Sequence, residues 1–312
     1  MLVKSRRVNE PYVYISKSPI KREAISSALN GLPIKKLVKE GDHVVITPNW
    51  VKAKPANTAT VVGPQTLQEL IKCIKGMKPK KITIACGSGG DKTLDVFYKV
   101  GYKKVIDEEE VEFIDLNFGP FIDLSLDHDI IKSTKINRII EDMDVLVSFS
   151  QLKLHEEATI SGTVKNIALG WPPAEVHGYP KKNLGIHEDL HGFIRAISKK
   201  IATDIAILSV DKAMIGTGPS DGKAVNTEGL IIASTDAVAA DAIGGRLLGF
   251  LPQAISYIYS LYKEGFGEAD PKNMIIKGLS LEEAEKIFSI AAYNQEVVLD
   301  KNNQIKNIHG NQ

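Results

Sequence analysis

Four of the chain's seven histidines, His155, His177, His187 and His191, fall between residues 155 and 191. Histidine is the side chain best suited to acid/base work near neutral pH, and it is the commonest metal ligand. His187 and His191 are four apart, so a helix would put them on one face in a spacing that chelates a metal. The residues between them do not complete an H-E-x-x-H pattern. The plainer reading of each is a hydrogen-bonded structural or surface histidine. Lys153 and Lys165 stand in the same stretch, in QLKLH and SGTVKN. A lysine among small neutral residues can hold an anion or form a covalent adduct. Ser161, Gly162 and Thr163 beside Lys165 would let a ligand approach closely.

These residues must be carried by something, and the chain alternates strand-like with helix-like runs. Strands are expected at His43–Thr47, Lys81–Cys86, Val111–Asp115, Asp144–Ser148, Asp204–Val210 and Gly229–Ser234. Helices are expected at Gly63–Gly76, with Leu67, Leu70, Ile71 and Ile74 in helical spacing, and at Asp91–Val100 with Asp91 as N-cap. Further helices are expected at His187–Ile201, Asp236–Leu248, Pro252–Lys263 and Leu281–Phe288, the last opened by a Ser280/Glu283 capping box. This order predicts an α/β fold with largely parallel sheets and flanking helices, two lobes around a cleft. Residues 151 to 187 show no clear period, which sets a boundary near 152 between an N-terminal lobe (1–152) and a C-terminal lobe (153–312), with strands open to sharing. The polar tail beyond Asp300 is expected to fray.

Ligands of open α/β sheets bind beyond the carboxyl ends of strands. Four such ends are polar or glycine-rich: Thr47–Trp50 with Asn49, Gly87–Asp91 with Ser88 and Gly89, Ser148–Gln151, and Asp211-Lys212. Gly87–Gly90 precedes a helix and would offer backbone N–H groups to an anion. The loop Gly216–Gly222, with Gly216 and Gly218, is a second donor-rich segment. Neither matches a dinucleotide or P-loop fingerprint, so no NAD is expected. Asp241, in an otherwise apolar helix, needs a partner: a histidine, a lysine, Arg246 or a backbone group.

Composition limits the classes. The 312 residues carry 39 Lys+Arg against 38 Asp+Glu, a net charge of +1, which gives no electrostatic case for nucleic-acid or membrane-surface binding. Two cysteines, Cys73 and Cys86, cannot by themselves build an iron–sulfur cluster or a four-cysteine zinc site. The N-terminus lacks the apolar core of a secretory signal and no long apolar run occurs, so a cytoplasmic protein is expected.

Taken together, Pro48-Asn49, Thr60, Lys153-Leu154-His155, Lys165-Asn166, His187, Gly216-x-Gly218-Pro219-x-x-Gly222 and Asp236-x-x-Ala239-x-Asp241 resemble the family catalogued as domain of unknown function 362. Some members of that family carry a ferredoxin-like cluster module, for which this chain lacks the cysteines. A fainter similarity is to the nickel-pincer lactate racemases, where a histidine, a Ser-Gly-Gly-x-Lys stretch and a later histidine occur in the order of His155, Ser161-Gly162-x-x-Lys165 and His187. That similarity implies proton transfer at His155, cofactor holding at Lys165 and nickel at His187. The sequence departs from it at Thr163, at Pro172 after Gly170, and in having no histidine in Gly87–Asp91.

The reading that follows is an enzyme acting on a small carboxylate- or phosphate-bearing ligand in an interlobe cleft, by racemase- or isomerase-like acid/base chemistry or with metal assistance. His155 and Lys165 are its catalytic candidates. Asn49, Ser88, Gly89, Lys153, Asn166, Gly216, Gly218 and Asp241 are its ligand-binding candidates. His187 and His191 are the candidate ligands of a divalent metal. The alternative is a non-catalytic carrier or sensor of a metal or metallocofactor.

Overall fold

In the computed structural model, residues 3–298 and the backbone of 299 and 305–307 are described. Apart from that last short strand, the tail beyond Asp300 lies outside the described residues. Thirteen strands precede it: β1 (Tyr12–Lys17), β2 (His43–Pro48), β3 (Lys81–Cys86), β4 (Glu112–Asp115), β5 (Phe121–Ser125), β6 (Ser133–Asn137), β7 (Val145–His155), β8 (Thr159–Ser161), β9 (Ile205–Ile215), β10 (Lys223–Asn226), β11 (Leu230–Ser234), β12 (Ile275–Gly278) and β13 (Val297–Leu299), which pairs with the last strand. Ten of them form one sheet in the order β12-β1-β11-β9-β7-β2-β3-β4, with β8 on β7 and β10 on β9. β9, β7, β2, β3 and β4 run parallel, and β11 is antiparallel to both of its neighbours. The fold is α/β, built on a mixed, mostly parallel sheet. β5 and β6 make a separate hairpin.

The central strands are apolar runs because helices cover both faces of the sheet. Side chains alternate between two apolar layers: Val44, Ile46, Val145 and Val147 point into one, Val45 and Leu146 into the other. The first layer is closed by the helices Lys21–Asn30, Pro64–Lys75 and Thr93–Val100. The second is closed by Thr163–Gly170, Leu190–Ser198, Ala237–Leu247 and Ser256–Lys263. Pro64 opens its helix at a position whose N–H has no helical partner anyway. Ser280 and Glu283 form the expected capping box, and the helix behind it runs on to Tyr293 before Asn294 stops it at φ 55°.

Several expected boundaries move. β7 continues through His155 and so passes residue 152, where the lobe boundary was expected; strands of both halves share the sheet. β9 continues to Ile215, so Asp211-Lys212 is mid-strand. Residues 151 to 187 are not wholly irregular, since they hold the end of β7, β8, and the helices Thr163–Gly170 and Ala174–His177. Asp91 is not the N-cap of Thr93–Val100: Lys92 holds that place, and the Asp91 carboxylate accepts from Ala53 N at 2.8 Å.

β2 connects toward β3 and β4, whereas β7 connects toward β9 on the other side. The gap between the carboxyl ends of β2 and β7 is therefore a topological switch point, where an open α/β sheet leaves a crevice.

Candidate functional site

A cavity of about 550 Å³ occupies that crevice. Three of the four polar strand ends reach it, through Pro48-Asn49-Trp50, Gly87 with Gly89 and Gly90, and Ser150. The fourth, Asp211-Lys212, is tied instead to the Gln151 side chain.

The charges in the cavity are sorted by depth. Lys153, His155 and Lys181 are buried and Lys165 is partly buried, while the acidic lining residues Glu156, Glu157 and Asp221 are exposed at the rim. Lys153 reaches the floor because β7 stays extended past its apolar part, pairing with Ser161 of β8. Its Nζ donates to Thr60 O at 2.9 Å, and burial, with Lys165 nearby, lowers its pKa to about 7. Lys165 stands in the first turn of Thr163–Gly170. No protein acceptor is within hydrogen-bonding distance of its Nζ among the described residues, and burial lowers its pKa to about 8 against the upward pull of Glu157. Lys181 has a different task. Its Nζ donates to Leu169 O at 3.0 Å, Gly87 O at 3.1 Å and Gly170 O at 3.4 Å, so it clamps the end of the helix that carries Lys165 to the glycine loop. Burial lowers its pKa to about 7.

His155 is held in one tautomer. Its Nδ1 accepts from Glu157 N at 3.2 Å and Ala158 N at 3.1 Å, so the ring proton sits on Nε2, which is open to the cavity. Burial and the neighbouring lysines lower its pKa to about 2. The group offered to a ligand is a neutral imidazole N–H, which donates a hydrogen bond and is a poor proton acceptor.

The other predicted residues separate into lining and support. Asn166 and Asn49 line the cavity but their amides are engaged. Asn166 Nδ2 donates to Thr47 O at 2.7 Å, and Asn49 brackets Thr60 O, Val62 N and Gln151 N. Asn49→Ala would leave Val62 N and Gln151 N unpaired, while Thr60 O keeps Lys153 Nζ; we expect a loss of about 2 kcal/mol in a denaturant melt, and a midpoint equal to wild type would contradict the bracket. Gly89 lines the cavity, but Ser88 lies beneath it, its N–H bonded to Thr93 Oγ1 and its hydroxyl to Val51 O. Gly90 N and Asp91 N also donate to Val51 O, so these N–H groups tie the glycine loop to the segment after β2 and are not offered to a ligand. Gly216 and Gly218 do not line the cavity: Gly218 packs on the β7 backbone, where a Cβ would meet Leu154 O at 1.8 Å. Asp241 supports from behind. It accepts from Thr163 N at 2.6 Å, Thr163 Oγ1 at 2.8 Å and Val164 N at 2.9 Å, and so caps the helix that holds Lys165.

His155, His187 and His191 meet around Glu157, whereas His177 stands apart from them. His177 is buried against Thr134 at 2.7 Å, and His191 stacks on Tyr257 at 5.7 Å. His187 lies at the rim, bonded to Glu157, in the turn before the N-cap Asp189; it therefore shares no helical face with His191. No group of three or more His, Cys, Asp and Glu able to hold a metal ion by themselves exists among the described residues. Sequence reasoning missed Lys181 and Glu157. Their roles come from backbone carbonyls and a histidine that only the fold brings to them, 11 to 94 positions away.

A family model described as "Domain of unknown function (DUF362)" matches residues 44–246. A thylakoid-associated protein of Synechocystis sp. is 25% identical over 222 residues, which cover 70% of this chain and 66% of that protein. The lactate racemase apoprotein from Thermoanaerobacterium thermosaccharolyticum is similar in structure at a TM-score of 0.41 and 19% identity, over 77% of this chain and 57% of that one. The chain thus spans less than two thirds of either protein's length. Among the described residues no helix is long and apolar enough to cross a membrane.

Proposed function

The chain belongs to the DUF362 family, and from that premise we propose that it is an enzyme that takes a small carboxylate-bearing ligand into the cleft between β2 and β7. The observation that carries this reading is the unpartnered Lys165 Nζ, set beside Lys153 and the Nε2–H of His155 with acidic groups only at the rim. An ammonium in such a place lacks the water it would have in bulk, and an anion restores its partner. In this scheme Lys153 and Lys165 bind the anion, His155 donates to a carbonyl or carboxyl oxygen, and Lys181 and Asp241 hold the helix in place. Two free cysteines accord with a cytoplasmic location.

Titration with oxalate, followed by calorimetry, tests the reading. Binding needs the ammonium forms, and the two lysines titrate at about 7 and about 8. We expect affinity to fall by more than about tenfold from pH 7 to pH 9. Affinity that stays flat across that range, or no binding at all, would count against the site. Stability without ligand should move the other way. Lys153 folds with a pKa below its unfolded value near 10.5, so the unfolded chain binds more protons between about pH 7 and 10, and stability rises with pH through that window. A melting temperature that falls steadily from pH 7 to 9 would contradict the burial of these amines.

A further inference from the structure

Resting on the anion reading above, we propose that Lys165 forms an imine with the carbonyl carbon of a 2-oxo acid whose carboxylate sits on Lys153. The three lysines of the cleft are unequal in a way that picks out one nucleophile. The amine of Lys181 is held by three carbonyls and that of Lys153 by one, whereas that of Lys165 has no protein acceptor among the described residues. Lys153 pairs with Ser161 across β7 and β8, and Ser161 lies four residues before Lys165, so the fold brings the two amines into one end of the cavity. Burial lowers the Lys165 amine to about 8, so free amine is present to attack a carbonyl, while the carboxylate bound on Lys153 holds that residue as the ammonium. His155 completes the arrangement with a fixed Nε2–H for the carbonyl oxygen, its Nδ1 being committed to two backbone N–H groups.

The step balances without any further reagent. The Lys165 amine adds to the ketone carbon, a proton passes from nitrogen to oxygen, and a carbinolamine forms. His155 keeps its proton and holds the oxygen by hydrogen bonding. The Lys153 ammonium then gives a proton to the hydroxyl, which leaves as water while the nitrogen lone pair closes the C=N bond. Lys153 recovers its proton from solvent. The iminium withdraws electrons from the neighbouring carbon, so the class of reaction it serves is loss of a proton or a carboxylate next to it.

The test is reductive trapping of the full chain with pyruvate and cyanoborohydride, read by intact mass and peptide mapping. We expect one equivalent on Lys165, formed well before the exposed lysines react, suppressed by excess oxalate and absent in Lys165→Arg, which keeps the cation but cannot form an imine. Mapping on the wild-type protein does not depend on the variant folding. Oxalate binding with no preferential label at Lys165 overturns the imine and leaves the anion site standing. Failure of oxalate to bind, together with label spread over surface lysines, overturns both.

Discussion

Replacing Lys165 by methionine should remove binding of a small carboxylate while leaving the fold intact. The two outcomes separate because the amine has no protein partner among the described residues. In most ion-paired lysines, deleting the charge strands a carboxylate and lowers stability along with function. Lys165 leaves nothing stranded, and methionine keeps the length of its stem over the cavity wall. Loss of a charged contact to a desolvated ligand group is worth about 2–5 kcal/mol, or roughly thirtyfold to several thousandfold in affinity. Removing an incompletely solvated cation should at the same time hold or raise the unliganded melting temperature. Calorimetry with oxalate and a thermal melt on the same sample read both quantities. An affinity within about threefold of wild type, at equal stability, would remove Lys165 from the site. A lower melting temperature would instead show that the ammonium supports the fold.

That separation explains how far the sequence could be read. The α/β alternation was legible because buried parallel strands are apolar runs and helices repeat every three to four residues, as in His43–Pro48 and Pro64–Lys75. The site segment was not. Gln151 and Lys153 are polar, yet they continue β7, because their partners are supplied from Asn49, Thr60 and Asp211, 102, 93 and 60 positions away. Local pattern cannot show a strand whose polar groups are satisfied at such range. The histidine count misled for a related reason. Of the four histidines near one another in sequence, His177 is buried elsewhere against Thr134, His191 stacks on Tyr257, and only His155 and His187 line the cavity. Lysine type and position said more: Lys153 and Lys165 were visible as candidates beside small residues, and the fold does bring them together. Lys181 was not visible, since a clamp on three carbonyls has no local signature.

Gly162 was read as room for a ligand, and the structure assigns that room to Asp241. A Cβ at Gly162 would lie 2.4 Å from Asp241 Oδ1 and 2.6 Å from Oδ2, and the carboxylate is fully buried. It cannot withdraw, because it accepts from Thr163 N, Thr163 Oγ1 and Val164 N, the free donors at the start of the helix. Gly162→Ala must therefore push the helix off its cap or break the cap's hydrogen bonds. Forced packing costs about 1–3 kcal/mol and each stranded buried donor a similar amount, so a loss of about 3 kcal/mol or more is expected in a denaturant melt. Because Lys165 and Asn166 lie in that first turn, oxalate affinity should fall even under conditions where the variant remains folded. Gly170→Ala, at the other end of the same helix, is the matched control: its Cβ would meet only Thr47 Cγ2 at 3.7 Å, an ordinary contact. It should change stability by less than about 1 kcal/mol. If Gly162→Ala behaved like Gly170→Ala in both measurements, Asp241 would not be what holds Lys165 in position, and the cap would have no part in the site.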